Sequence, residues 1–215
     1  MSKIKICGLK RPEDIEYAND LKPDYIGFIM ASAYPKRYVD DEKALFLKSK
    51  LDKDIKAVGV FVNDEIEHIL KVAAAGIIDV VQLHGNESAD YAAIIKKALG
   101  IPIIKAVRVR SADDIVDMQS FPADYLLLDS YVSGSAGGNG KTFDNTFINS
   151  AEVTLKMNGK QLKPYILAGG IDENNIEYAI RTYHPYAVDL SSSVETDGFK
   201  DREKMKKVID IARKV

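Results

Sequence analysis

The 215-residue chain has one cysteine, no tryptophan and three histidines. A single thiol, Cys7, cannot close an intramolecular disulfide, so a disulfide-stapled secreted fold is excluded and the reducing cytoplasm is the expected compartment. Nothing in the sequence resembles a secretory signal or a membrane span, which argues against a membrane partner. An excess of either charge is also lacking: 30 basic and 32 acidic side chains leave a formal net charge of -2. That balance gives no reason to expect nucleic acid as a partner, and an anionic small substrate has to be held by local groups. Pro/Ser-rich linkers, low-complexity tracts and long charge blocks are missing too, so residues 1–215 read as one domain.

What is present is a short apolar run that keeps returning: Ile4–Cys7, Tyr25–Met30, Ala57–Val62, Val80–Leu83, Ile101–Val107, Tyr125–Leu128, Tyr165–Ala168 and Ala187–Leu190. Continuous apolar runs of this length suit strands buried on both faces of a parallel sheet. Segments with helical spacing follow them. Pro12 fits a first helical turn, and Asn63 fits a cap ahead of Asp64 and Glu65. Glu87–Leu99, Ser111–Gln119, Asp172–Thr182 and Asp201–Lys214 read as further helices, whereas the spacing is less regular over Asp40–Lys50 and Thr142–Leu155. Eight strand–helix units, near-evenly spaced except after the second and sixth strands, predict an α/β fold with a single closed (β/α)8 TIM barrel. An open doubly wound sheet fits the same periodicity, which does not show closure.

Barrel chemistry sits at the carboxyl ends of the strands. The polar residues there are Cys7, Arg37 in the loop after the second run, Asn63, Gln82, His84, Arg108, Asp129, Gly169-Gly170, Asp189 and Ser191-Ser192-Ser193. Each has a plain alternative: a lone thiol is most often inert and buried, Asp129 can cap a turn, His84 can be a structural histidine, and Arg37 can be solvated surface. His68 and His184 fall within or beside helical patterns and are set aside. Gly137-Gly138-Asn139-Gly140-Lys141-Thr142 lies in the long loop after the sixth run. Five residues separate Gly134 from Gly140-Lys141-Thr142, one more than a P-loop has, so a mobile lid over a smaller phosphate is expected in place of a nucleotide site. Gly169-Gly170 and Ser191-Ser192 end the last two strands, where barrels commonly bind phosphate through backbone N–H groups.

Taken in order, Lys5-Ile6-Cys7-Gly8, Val58-Gly59-Val60-Phe61-Val62-Asn63, Val81-Gln82-Leu83-His84-Gly85, Leu128-Asp129-Ser130, the Gly137–Asp144 loop, Leu167-Ala168-Gly169-Gly170-Ile171 and Val188-Asp189-Leu190-Ser191-Ser192-Ser193-Val194-Glu195 closely resemble phosphoribosylanthranilate isomerases over essentially the whole chain. The resemblance implies a barrel enzyme of tryptophan biosynthesis acting by an Amadori rearrangement on a small phosphoribosyl substrate, as a monomer or homodimer, with no metal or organic cofactor. It implies Cys7 as general base, Asp129 as general acid and Arg37 as the group meeting the anthranilate carboxylate. Gln82, His84, Gly138, Lys141 and Asp189 would contact substrate, and Gly169, Gly170, Ser191 and Ser192 its phosphate. The chain departs from the family pattern at Tyr34-Pro35, at Ser193, where glycine is common, and at Asn145. Setting the resemblance aside, a metal-dependent or two-aspartate phosphosugar barrel and a non-catalytic phosphate-binding barrel stay open. The first needs metal ligands or a strand-end aspartate where Cys7 stands.

Overall fold

Each apolar run becomes a strand and each strand is followed by a helix. In the computed structural model, which describes residues 2–130 and 145–215, the order is β1 (Lys3–Cys7), α1 (Pro12–Leu21), β2 (Tyr25–Ile29), α2 (Asp41–Lys50), β3 (Lys56–Phe61), α3 (Ile66–Ala74), β4 (Val80–Leu83), α4 (Ala89–Leu99), β5 (Ile103–Val109), α5 (Ala112–Asp117), β6 (Tyr125–Ser130), α6 (Asn145–Met157), β7 (Tyr165–Ala168), α7 (Ile176–Tyr183) and β8 (Ala187–Leu190). A small antiparallel hairpin, β9 (Glu195–Thr196) with β10 (Phe199–Lys200), precedes α8 (Arg202–Arg213) and was not expected from the sequence. The eight long strands are parallel neighbours in chain order. β1 pairs with β8, Lys5 opposite Asp189, which closes the barrel and removes the open-sheet alternative. No helix among the described residues is long and apolar enough to cross a membrane.

Local chemistry explains the element ends. Pro12 starts α1, and the side chains of Asp40, Ser88, Ser111 and Asp201 accept backbone N–H groups at the starts of α2, α4, α5 and α8. Asn63 is not a cap. It adopts a left-handed φ of 49°, its side chain accepts the Asn86 N–H at 2.7 Å, and α3 begins three residues later.

Strand alternation sorts the side chains into two cores. Ile4, Ile6, Ile26, Phe28, Val81, Leu83, Leu126, Leu128, Leu167 and Val188 face outward and join the helices in the larger one. Val58, Val80, Ile104, Leu127, Ile166, Ala168 and Ala187 fill the barrel interior. The amino-terminal floor is closed by Tyr25, Tyr125 and Tyr186. The Tyr25 and Tyr186 hydroxyls lie 2.9 Å apart, and the Tyr125 and Tyr186 rings stack at 4.5 Å. With the floor sealed by aromatics, solvent and ligand reach the interior from the carboxyl end.

Asp24, Asp79 and Asp124 each stand immediately before an even-numbered strand. Their carboxylates accept the backbone N–H of Ile4, Ala57 and Ile103 at 2.9, 2.7 and 2.9 Å, tying the foot of each preceding odd strand to the next even one. Burial raises the proton affinity of Asp124, but Lys96 and the Ile103 N–H outweigh it and hold the carboxyl below its ordinary value. A lowered folded pKa contributes stability that is present above the unfolded value, near 3.9, and is lost as pH falls through the folded one. Asp124→Ala is therefore expected to cost about 1–3 kcal/mol at pH 7, with the gap to wild type narrowing below pH 4. Denaturant unfolding at the two pH values checks this, and equal stability at pH 7 would contradict it.

Candidate active site

Towards the carboxyl end the inward positions turn polar. On β1 the alternation that points Ile4 and Ile6 at the helices points Lys5 and Cys7 into the barrel. Lys5 is fully buried, its Nζ donates to Asp189 Oδ1 at 3.0 Å across the β1–β8 seam, and it also reaches the Cys7 thiol. Burial opposes the ammonium, yet the charge of Asp189 and the thiol outweigh it, so Lys5 stays protonated above the ordinary lysine value. Cys7 is 6% exposed. Burial pushes its thiol above the usual value and Asp189 adds to this, while Lys5 and Lys200 pull it down. Room for the sulfur comes from β2: Gly27 is the register partner of Cys7, and a Cβ there would stand 2.7 Å from Sγ.

A second tier of charge surrounds the same strand tip. Arg37 donates through Nε and Nη2 to the two carboxylate oxygens of Glu195, at 3.1 and 2.9 Å. Buried Lys200 donates to Glu195 Oε1 at 2.7 Å and to the Ser191 carbonyl at 3.0 Å. Burial works against the Glu195 carboxylate, but these two cations hold its pKa below the usual range. Gly8, at φ 86°, lets the chain turn beneath Arg37, whose Cδ would lie 3.1 Å from a Cβ at that position. The Ser191 hydroxyl donates to the Cys7 carbonyl at 3.1 Å, fixing the end of β1.

Across the mouth, β4 to β6 line a cavity of about 750 Å³ that includes His84, Lys105, Arg108 and Asp129. Asp129 ends the inward row of β6 beside Arg108 on β5. Burial, then the negative charge of Asp189, raises its pKa, and Arg108 only partly offsets them. His84 is held neutral, its pKa lowered to about 4 by burial and by the cations Lys5, Lys105 and Arg108. A neutral ring next to the Gln82 amide, with Nε2 of Gln82 2.9 Å from Nδ1, accepts there and keeps its proton on Nε2 as a donor. Gln82 is 1% exposed and its Oε1 is buried without a hydrogen-bond partner. Beneath this wall Lys105 and Glu87 form a buried pair at 2.7 Å, and Glu87 accepts the N–H groups of Asn63 and Gly85. These contacts brace the loops after β3 and β4.

The turns after β7 and β8 complete the rim. Gly169 and Gly170 take φ of 84° and 67°, a left-handed stretch that suits glycine, and a Cβ on Gly170 would meet nothing within 4 Å. Ser192–Val194 form a 3-10 turn. The Ser193 hydroxyl is buried without a partner.

Residues 4–211 match the family model for N-(5'-phosphoribosyl)anthranilate (PRA) isomerase. The chain belongs to the PRA isomerase family. It is similar to the isomerases of a Thermoanaerobacter species, 46% identical over 99% of this chain and 98% of that one, and of Clostridium acetobutylicum, 45% identical over 100% and 99%. Among solved structures, the Thermotoga maritima PRA isomerase superposes with a TM-score of 0.86 at 34% identity over the whole of both chains. A PRA isomerase in complex with reduced 1-(o-carboxyphenylamino)-1-deoxyribulose 5-phosphate superposes at 0.81 with 32% identity, again over both whole chains. Family membership makes the chain an isomerase of tryptophan biosynthesis.

The PRA isomerase barrel brings Cys7, Arg37, Gln82, His84, Asp129, Gly169, Gly170, Asp189, Ser191 and Ser192 to one mouth. Gly138 and Lys141 lie outside the described residues. Two expectations gain detail: Arg37 is bound to Glu195, and Asp189 faces Lys5. Sequence reasoning missed Lys5, Gly27, Glu195 and Lys200. Period-two alternation back from Cys7 identifies Lys5, and register against Cys7 identifies Gly27 once closure is known. Lys200 carries no such signal, because it arrives on a hairpin with two-residue strands. Among the described residues no group of three or more histidine, cysteine, aspartate or glutamate side chains could hold a metal ion.

Gly27→Ala would drive the Cys7 sulfur out of its place, because neither the sulfur nor the β1 backbone at 3.2 Å leaves room for the methyl. Turnover is expected to fall by at least about tenfold through misplacement of the thiol at the barrel mouth, with an unchanged circular dichroism spectrum. Wild-type kcat in this variant would contradict the assigned position of the thiol.

Proposed function

We propose that the chain converts N-(5-phosphoribosyl)anthranilate to 1-(2-carboxyphenylamino)-1-deoxyribulose 5-phosphate by an Amadori rearrangement, with Cys7 as general base and Asp129 as general acid. The observation that supports this most is the pairing of a buried thiol at the tip of β1 with a carboxyl of raised proton affinity at the tip of β6, both on inward rows of one barrel mouth. A relative that binds the reduced product points to the same ligand chemistry.

Asp129 in its acid form protonates the furanose oxygen, and the ring opens to a protonated Schiff base. Burial and the nearby Asp189 favour that acid form. The cationic imine acidifies the C2′ proton, Cys7 as thiolate removes it, and the enolamine tautomerises to the ketone. The proton given by Asp129 and the one taken by Cys7 balance and no electrons leave the substrate, so these steps require neither metal nor organic cofactor. His84 offers its Nε2–H, and Gln82 its unpartnered Oε1, to the ribose hydroxyls and the anthranilate nitrogen. Glu195 occupies two donors of Arg37, and the remaining guanidinium donors take the anthranilate carboxylate. The phosphate sits on the backbone of Gly169, Gly170, Ser191 and Ser192, and Gly138 and Lys141 are further substrate contacts. These groups come from one chain, so a monomer suffices and a homodimer is compatible. A reducing cytoplasm keeps the thiol available.

The raised thiol pKa inverts the usual reading of a pH profile. Productive enzyme holds a thiolate and a protonated carboxyl, while the thiol titrates above the carboxyl, so kcat/KM is flat between the two values and falls on either side. The acid limb then reports Asp129 and the alkaline limb Cys7. The direct test is loss of substrate fluorescence, with phosphoribosylanthranilate generated in situ. Cys7→Ser and Asp129→Asn are each expected to lower kcat by about 10²–10⁴-fold with KM little changed. Near-normal kcat in either variant, or an inflection near pH 6.5 from His84, would contradict the assignment.

A further inference from the structure

The proton-transfer scheme leaves several buried ionisable groups unused, and of these Lys5 lies on the strand of the thiol itself. Lys5 is fully buried one inward position below Cys7, paired with Asp189 at 3.0 Å and in hydrogen-bonding reach of the thiol. Buried lysine is costly, and a pair that only stabilised the seam would be replaceable by apolar residues of similar volume. Its placement beside the thiol gives it a second task.

The groups facing Cys7 come from every element packed around it. They are Lys5 on β1, Asp189 on β8, Arg37 after β2 and Lys200 on β10, with Glu195 on β9 bridging the last two and Asp129 more distant on β6. Around the thiol stand three cations and two carboxylates, Asp189 and Glu195. Each carboxylate is paired, Asp189 with Lys5 and Glu195 with both Arg37 and Lys200. Burial raises the proton affinity of Asp189, and Lys5 and Lys200 oppose it; with both carboxylates ionised, the cluster is one positive charge in excess while Cys7 is a thiol and neutral when Cys7 is a thiolate. Of the three cations, Lys5 is the one on the strand of Cys7 itself, at the next inward position, and its charge is the one that most favours the thiolate.

We propose that Lys5 is a positioning residue for the isomerisation: clamped by Asp189, it holds an ammonium against Cys7 and supplies the charge and hydrogen bond that stabilise the thiolate. This rests on the reading of Cys7 as the base. Lys5 contacts no reacting atom and acts through the sulfur alone, so loss of Lys5 lowers kcat while leaving KM for the distant phosphate and carboxylate contacts nearly unchanged. Asp189 acts in the opposite sense on the thiol, because its charge disfavours the thiolate while its hydrogen bond aims the ammonium.

The test is the pH dependence of iodoacetamide alkylation of Cys7 in the resting enzyme, which needs no substrate and no turnover. In Lys5→Met the alkylation midpoint is expected to move up by at least about one pH unit, and kcat to fall about tenfold or more. Lys5→Met leaves Asp189 without its cation and can fail to fold, so Lys5→Met/Asp189→Asn is measured beside it. The double variant carries no unpaired buried charge, and its midpoint is expected to stay above wild type. Lys5→Arg is expected to restore part of the shift. A midpoint equal to wild type in the double variant overturns the proposal and leaves the role of Cys7 as base standing. A raised midpoint with unchanged kcat upholds the effect of Lys5 on the thiol and overturns Cys7 as base.

Discussion

The site depends on one ion pair, Lys5 with Asp189, laid across the seam where the last strand meets the first. Two charges taken out of water cost several kcal/mol each unless they are well paired, and removing one partner of such a pair typically costs about 3–5 kcal/mol. The pair joins β1 to β8 by a side-chain bond inside the barrel, just below the row that carries Cys7. What lies above it follows: Gly27 leaves the sulfur its space, Ser191 holds the Cys7 carbonyl, and the β9–β10 hairpin swings Lys200 and Glu195 over the seam. A shift of register at this seam would separate all of these groups from the thiol.

The barrel divides its chemistry between two walls. The β8–β1–β2 side is rich in cations and holds the thiol, and those cations favour its thiolate. The β4–β6 side holds a neutral histidine, an amide with a spare acceptor and a carboxyl of raised proton affinity. Burial acts on both walls in the same direction, disfavouring charge on Cys7 and on Asp129 alike. The neighbouring charges separate their roles: cations oppose burial at Cys7, whereas Asp189 reinforces it at Asp129. Asp189 thus serves both walls, as the clamp on Lys5 and as the charge that adds to burial in raising the proton affinity of Asp129.

Most of the fold was legible because both-face burial writes itself into eight apolar runs, and their even spacing points to a barrel. Cys7, Asp129, the glycine turn after β7 and the serines after β8 were legible because they sit at strand ends, where a linear reading can find them. Lys5 was hidden inside an apolar run: a lysine between two isoleucines reads as a strand edge until closure shows that its face is interior. Gly27 was hidden because its function is an absence of side chain, visible only against the sulfur it faces. Lys200 and Glu195 depended on a hairpin too short to leave a periodic signal. Asn63 misled because a cap preference says nothing of a left-handed residue braced by the next loop.

The central claim is that the substrate carbon losing its proton lies against the thiol, with the acid on the opposite wall. A crystal structure of this chain with the reduced product analogue measures it directly. The account predicts the C2′ carbon about 3–3.5 Å from Cys7 Sγ, the near-attack range, with the Asp129 carboxyl reaching the substrate from the β6 side. A complex in which C2′ lies nearest Asp129 or His84, with Cys7 out of reach of the ligand, would contradict it.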